Sequence, residues 1–315
     1  MEKQIKSLIK VIIGVLIIFV LLQKIGFSSF FNVLKTIELS WFFVSLFLGL
    51  LTFVIIALNH LILLSALDKK INFKTLLQYI TFSWSLSSMF PGRVGDLGLL
   101  VLLKNNHEVG YGEGLAITFI DKIITLIVLL LFSAFGLIIF FGLDIFLLLS
   151  FFFILGLLLL YLVILKEGIR NFIKKRILKS YSQYFFGFSK SMKTIIFRKK
   201  IMFLNLFLTI SLWMFSFFLV HLVFLAFNVK FSFFMITVIF SLVNLISLVP
   251  ITISGLGVRE GTGTYLLNQL GVSTAVGFNI ILTRTFQRYI YVIFFYIINQ
   301  NLLKKNNWKI SKKES

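Results

Sequence analysis

The chain has 315 residues, of which 59% are apolar, 17% aromatic and only 13% charged. That much apolar surface exceeds what a soluble domain can bury and excludes a disordered, collagen-like or disulfide-stapled chain, and the absence of Cys excludes thiolate-metal and thiol redox chemistry. The 31 Lys and Arg against 11 Asp and Glu give a net charge of +20, which in a membrane protein marks the cytoplasmic side before it suggests nucleic acid.

A span needs about 20 mostly apolar residues. Residues 9–23, bounded by Lys10 and Lys24, read as a first span, because no small-residue cleavage site follows to make them a signal peptide. Residues 41–67 form the second. Residues 75–90 are apolar but run into Pro91 and the segment PGRVGDLG (91–98). The apolar leg that follows, 97–103, reaches only about 10 Å as a helix, too little to cross about 30 Å of hydrocarbon. This shape predicts a re-entrant hairpin. Residues 114–141 and 144–165 are further spans. The linker 166–200 carries eleven basic residues and one Glu and is expected to lie on anionic headgroups. After a span at 201–227, residues 232–249 end at Pro250 and PITISGLGVREG (250–261), followed by a short leg at 264–270: a second hairpin. Residues 275–300 are the last span, and 304–315 form a basic tail. The predicted fold is an all-α polytopic membrane bundle of about six full spans plus two re-entrant hairpins.

Charge distribution favours hairpins over full crossings. With six spans and a cytoplasmic N-terminus, 23 basic residues face inward, the C-terminus among them, and only Lys24, Lys35 and Lys230 face outward. If both stretches crossed fully, the linker would face outward, against the positive-inside rule. The chain then divides near Gly142. Residues 1–142 and 143–303 each read span, span, hairpin, span. Three crossings per half turn the second copy upside down, the inverted-repeat plan of many secondary transporters.

Eight ionisable residues fall at membrane depth: Arg93, Asp96, Asp121, Lys122, Arg259, Glu260, Arg284 and Arg288. Each costs about 2.5–3.5 kcal/mol at a helix centre if unpaired. Some can staple the bundle, as Asp121 with a basic partner or Arg259 with Asp96. Five cations against three anions still leave two positive charges over, which an anionic ligand would satisfy. Arg284 and Arg288 are four apart on one helix face and suit a phosphate through bidentate donors. Thr118, Asp121 and Thr125 share a face likewise. Pro91, Gly92 and Gly95 in the first hairpin, and Pro250, Gly255, Gly257 and Gly261 in the second, allow tight backbone breaks. A helix that starts after each break aims its N–H groups at the gap, where an anion binds. His60, His107 and His221 are scattered, and Tyr289, Tyr291 and Tyr296 read as packing positions. No Walker loop, HExxH, GxSxG or zinc ligand set is present, so no metal or cofactor is expected.

The two signatures, PGRVGDLG before a span bearing Asp121 and the late PITISGLGVREG, resemble the lysylphosphatidylglycerol synthase transmembrane region family over nearly the whole chain. The late motif, with Gly255, Gly257, Arg259, Glu260 and Gly261, is the more specific. Asp96 stands where the family commonly has Glu, and the family's basic residue in the last span is matched by Arg284 or Arg288. The sequence ends at Ser315 without a synthase domain, so the resemblance implies flippase-like lipid translocation rather than aminoacyl transfer. The expected function is movement of an anionic or phosphate-bearing lipid across the cell membrane. Anionic membrane lipids are the expected partners, a homo-oligomer is a further option, and nucleic acid is not expected. A membrane enzyme acting on a lipid phosphate or a lipid-linked sugar, with Asp121 or Glu260 as base, and a non-transporting scaffold subunit are the alternatives.

Overall fold

In hydrocarbon a backbone must satisfy its own N–H and C=O groups, which a helix does within one segment. The computed structural model is all-α, with no strand among the described residues, which are 2–89, 94–165, 176, 185–249 and 252–302. In chain order the helices are α1 (Glu2–Ile25), α2 (Phe27–Leu34), α3 (Leu39–Gly49), α4 (Leu51–Ser65), α5 (Phe73–Met89), α6 (Val94–His107), α7 (Tyr111–Phe141), α8 (Leu143–Leu165), α9 (Phe188–Phe197), α10 (Lys199–Ala226), α11 (Phe233–Ile246), α12 (Val258–Gln269) and α13 (Thr274–Asn299). A 3-10 turn, Ile253–Gly255, precedes α12.

Among the described residues three helices are long and apolar enough to span a membrane: Leu39–Ser65, where α3 and α4 run together, α7 and α10. The first expected span is bent. α1 and α2 meet at 91° about Gly26, whose φ of 83° suits glycine. The stretches 144–165 and 275–300 are helical, as α8, apolar over Leu143–Leu159 apart from Asp144, and as α13. At 26 residues, about 39 Å, α13 is long enough. It carries Asn279, Arg284, Gln287, Arg288 and Asn299, polar groups that are tolerable because α13 packs inside the bundle on α2, α5, α10 and α12.

Both expected hairpins are pairs of short helices. α5 has 17 residues, α6 14, α11 14 and α12 12. The longest leg is about 25 Å and the shortest about 18 Å, all short of the hydrocarbon thickness. Gly95 sits where α6 turns back on α5; a Cβ there would lie 2.1 Å from the Ser83 carbonyl oxygen. The return legs are longer than the apolar stretches 97–103 and 264–270, because polar motif residues join them. Glu260, for one, closes the first turn of α12 by accepting the Gly257 N–H at 2.6 Å through Oε2. Pro91, Gly92, Arg93 and Pro250 lie outside the described residues, as do most of the linker and the tail.

Two large apolar cores divide the bundle, beside two small clusters around Phe53 and Leu100. The first joins the open end of the α5–α6 hairpin (Ile71, Leu76, Leu102, Leu103, Val109) to the N-terminal half of α7 (Ala116 to Val128) and to Met192 and Ile195 of α9. The second joins the open end of the α11–α12 hairpin (Ile236, Leu266, Leu267, Val272) to the C-terminal part of α7 (Leu129, Leu137) and of α10 (Phe217 to Phe227). The two hairpins are therefore rooted at opposite ends of the 31-residue α7. Lys69, Lys70, Lys74, Lys104, Lys190, Lys193, Lys199 and Lys200 border the first core along the chain, whereas Lys35 and Lys230 border the second. α9 lies tight on α7: a Cβ at Gly112 would come within 1.9 Å of the Phe186 carbonyl oxygen.

Candidate functional site

The break of the second hairpin meets the C-terminal end of α5 against α13. Ser254, at the kink before α12 with a φ of 54°, directs its hydroxyl at the carbonyls of Ser87 and Ser88 near the end of α5, at 3.4 and 3.3 Å. Arg288 on α13 joins the same two elements. Its Nη1 donates to the Ser254 carbonyl and its Nη2 to Ser88 Oγ, both at 3.2 Å, and its guanidinium lies 5.8 Å from the centroid of the Trp84 ring. Ser87 Oγ donates to Asp96 Oδ1 at 2.9 Å, holding the carboxylate in the first turn of α6.

Arg259 and Arg288 line one small crevice with Ser254, Gly255, Leu256, Glu260, Thr285 and Tyr289. Glu260 is almost fully buried. Besides the Gly257 N–H, it accepts the Thr285 hydroxyl through Oε1, which ties α12 to α13. One turn before Arg288, Arg284 donates to Gln287 Oε1 at 2.7 Å, and Gln287 in turn donates to Ser45 Oγ at 2.7 Å on α3. Gly255 and Gly257 have φ of 76° and 81°, conformations that open the turn. Gly257 also admits α1, since a Cβ there would lie 2.6 Å from the Gly14 carbonyl oxygen, and Gly261 faces Ile17 and Leu21 of α1. The described part of the site thus gathers three guanidiniums and two carboxylates, and those carboxylates are held by hydroxyl and backbone donors. Such an arrangement suits an anion with several acceptor oxygens.

Asp121 and Lys122 do not join this group. Lys122 Nζ lies 3.1 Å from Asp121 Oδ2, an ion pair on α7. Asn59 on α4 donates to Asp121 Oδ1 and to Thr209 Oγ1, each at 3.2 Å, and Asn205 on α10 donates to Asn59 Oδ1 at 2.6 Å. Of the eight charges expected to act together, the seven described fall into two sites, and Arg93 lies outside the described residues. Charge at membrane depth marked the arginines. Nothing in the sequence marked Trp84, Ser88, Thr285 and Gln287 around them, or Asn59, Asn205 and Thr209 around Asp121, because neutral polar residues are common on packed helices.

No curated protein and no solved structure matches the chain. A family model described as the lysylphosphatidylglycerol synthase TM region matches residues 7–295, from the first helix through both hairpins to the arginine-bearing α13. The chain therefore belongs to the lysylphosphatidylglycerol synthase transmembrane region family.

Proposed function

We propose that the protein is a flippase-like transporter that moves an anionic or phosphate-bearing lipid across the cell membrane. The observation that carries this reading is Arg288, which bonds both hairpins at once, at the end of α5 and at the break before α12, with Arg259 in the same crevice and Arg284 one turn away. Groups that hold two broken hairpins together at membrane depth are where alternating access would gate a headgroup. The guanidiniums supply fork-shaped donors for a phosphate, and Asp96 and Glu260 orient them or accept the amine of a zwitterionic lipid. The acyl tails stay in the bilayer.

The rooting of the hairpins at opposite ends of α7 supports an inverted repeat of residues 1–142 and 143–303. In that reading α1, α3 with α4, α7, α8, α10 and α13 make six crossings. By the positive-inside rule, the lysines bordering the first core support a cytoplasmic location for that end and, in the six-crossing reading, for both termini.

The test is lipid movement in proteoliposomes, read with fluorescent phosphatidylglycerol against phosphatidylcholine. Arg259→Ala and Arg284→Ala should lose movement while the protein elutes as wild type, and Arg→Lys should restore a part. Wild-type movement by Arg259→Ala refutes the site. Chemical conversion of the labelled lipid, read by chromatography of the same vesicles, would make the protein an enzyme instead.

A further inference from the structure

The Asp121 site lies apart from the arginines, and the transport reading leaves it without a task. Asn59, Asp121, Asn205 and Thr209 are all more than nine-tenths buried and come from three helices, α4, α7 and α10. Asn59 binds Asp121 on one side and Asn205 on the other, so Asp121 and Asn205 sit within one amide's reach of each other. Every donor here has a partner, yet one acceptor does not: Asn205 Oδ1 is buried without a hydrogen bond. A buried open acceptor is costly and calls for a donor.

A carboxylic acid is such a donor. As a carboxylate, Asp121 accepts from Asn59 and from Lys122. As an acid it has an O–H to place, and Asn205 Oδ1, across the Asn59 amide, is the open acceptor of this cluster. Lys122 can release its hold cheaply, since its side chain is about half exposed and long enough to move toward the membrane surface. Asp121 is ten residues into α7, about 15 Å from the helix start. The groups that act on the carboxylate are Lys122 from its own helix and His60 from α4. α10 faces it with the neutral Asn205 and Thr209, and no charged side chain among the described residues of α6, α8, α9 or α11 acts on it.

We propose that Asp121 is a proton-binding site, with Asn205 as the positioning residue that accepts the acid's hydrogen bond, and that a proton taken up there from water drives the lipid movement proposed above. The step forms one O–H bond on Asp121 and breaks its ion pair with Lys122. The driving role rests on the transport reading, whereas proton binding stands on its own.

Infrared difference spectroscopy of the purified full chain, titrated with acid, tests the binding. A carboxylic-acid C=O band should grow in as pH falls and be missing in Asp121→Asn. Lys122→Gln removes a cation and should move the band's midpoint to higher pH. Asn205→Leu removes the acceptor of the acid form and should move it to lower pH, by about one unit. A merely structural pair would not give opposite shifts. A band that never appears while the protein stays folded, shifts of the same sign, or displacement of the band by sodium at fixed pH would overturn the site. Phosphatidylglycerol vesicles with an imposed pH gradient then test the coupling. Gradient-driven movement that Asp121→Asn abolishes supports it, and movement indifferent to the gradient overturns it. A titrating band in a protein that moves no lipid under any gradient overturns the coupling and the transport reading while leaving the proton site in place.

Discussion

Thr285→Val isolates the tie between the second hairpin and α13. The Thr285 hydroxyl donates to Glu260, and both residues are buried, Glu260 to 1% exposure. A hydrogen bond to a charged acceptor contributes about 1.5–3 kcal/mol. Val keeps the branched shape and places a methyl where the hydroxyl was, which returns about 0.8 kcal/mol of transfer free energy. The expected net loss is about 1–2 kcal/mol. Denaturant unfolding in detergent, followed by tryptophan fluorescence, should show it as a lowered midpoint with unchanged steepness, and Thr285→Ser should stay near wild type. In a Glu260→Gln background the bond becomes neutral, and Thr285→Val should then cost less, by about 1 kcal/mol. If Thr285→Val unfolds with the wild type, or costs the same in both backgrounds, the buried carboxylate is not held as argued.

The chain has no native Cys, so a Ser88→Cys/Ser254→Cys pair gives a clean crosslink test; the Ser254 hydroxyl already lies 3.3 Å from the Ser88 carbonyl, and an oxidant should close the bridge, whereas no crosslink under any lipid condition would separate the hairpin tips. Gly95→Ala should destabilise the first hairpin by about 2 kcal/mol or more, because its Cβ meets backbone atoms of Ser83 and Ser87 that cannot move aside, and circular dichroism on heating would read it. A single Cys at Lys190 should react with an impermeant reagent from one face of the membrane and a single Cys at Lys230 only from the other; labelling of both from one face would break the topology.

The broken hairpins were legible because each of the two prolines ends an apolar run and opens a glycine-rich segment. Pro91 and Pro250 lie at the gaps between α5 and α6 and between α11 and α12. The right-angled bend after α1 was not, since the one Gly26 that permits it looks like any other glycine in an apolar run. Arg259, Arg284 and Arg288 stood out because a guanidinium in hydrocarbon needs a reason. That Asp121 belongs elsewhere depends on how α7 is rotated and on Asn59 and Asn205 reaching it from two other helices. Rotation and depth are set by packing, which a single chain's spacing does not reveal.

α8 packs chiefly on α7 and shows apolar side chains on nearly every side. Its cohesion with the rest of the bundle is slight, and lipid alone sets what its surface must be. In the inverted-repeat topology proposed above, what it contributes is passage: it carries the chain back so that the remainder can enter the bilayer the other way up. The seams that hold the molecule together, α7 with α11 and α10 with α3 and α4, join early helices to late ones without it. A polypeptide severed after α8 and expressed as two fragments should therefore reassemble into one particle, and substitutions among Leu, Ile and Phe along α8 should pass almost unnoticed.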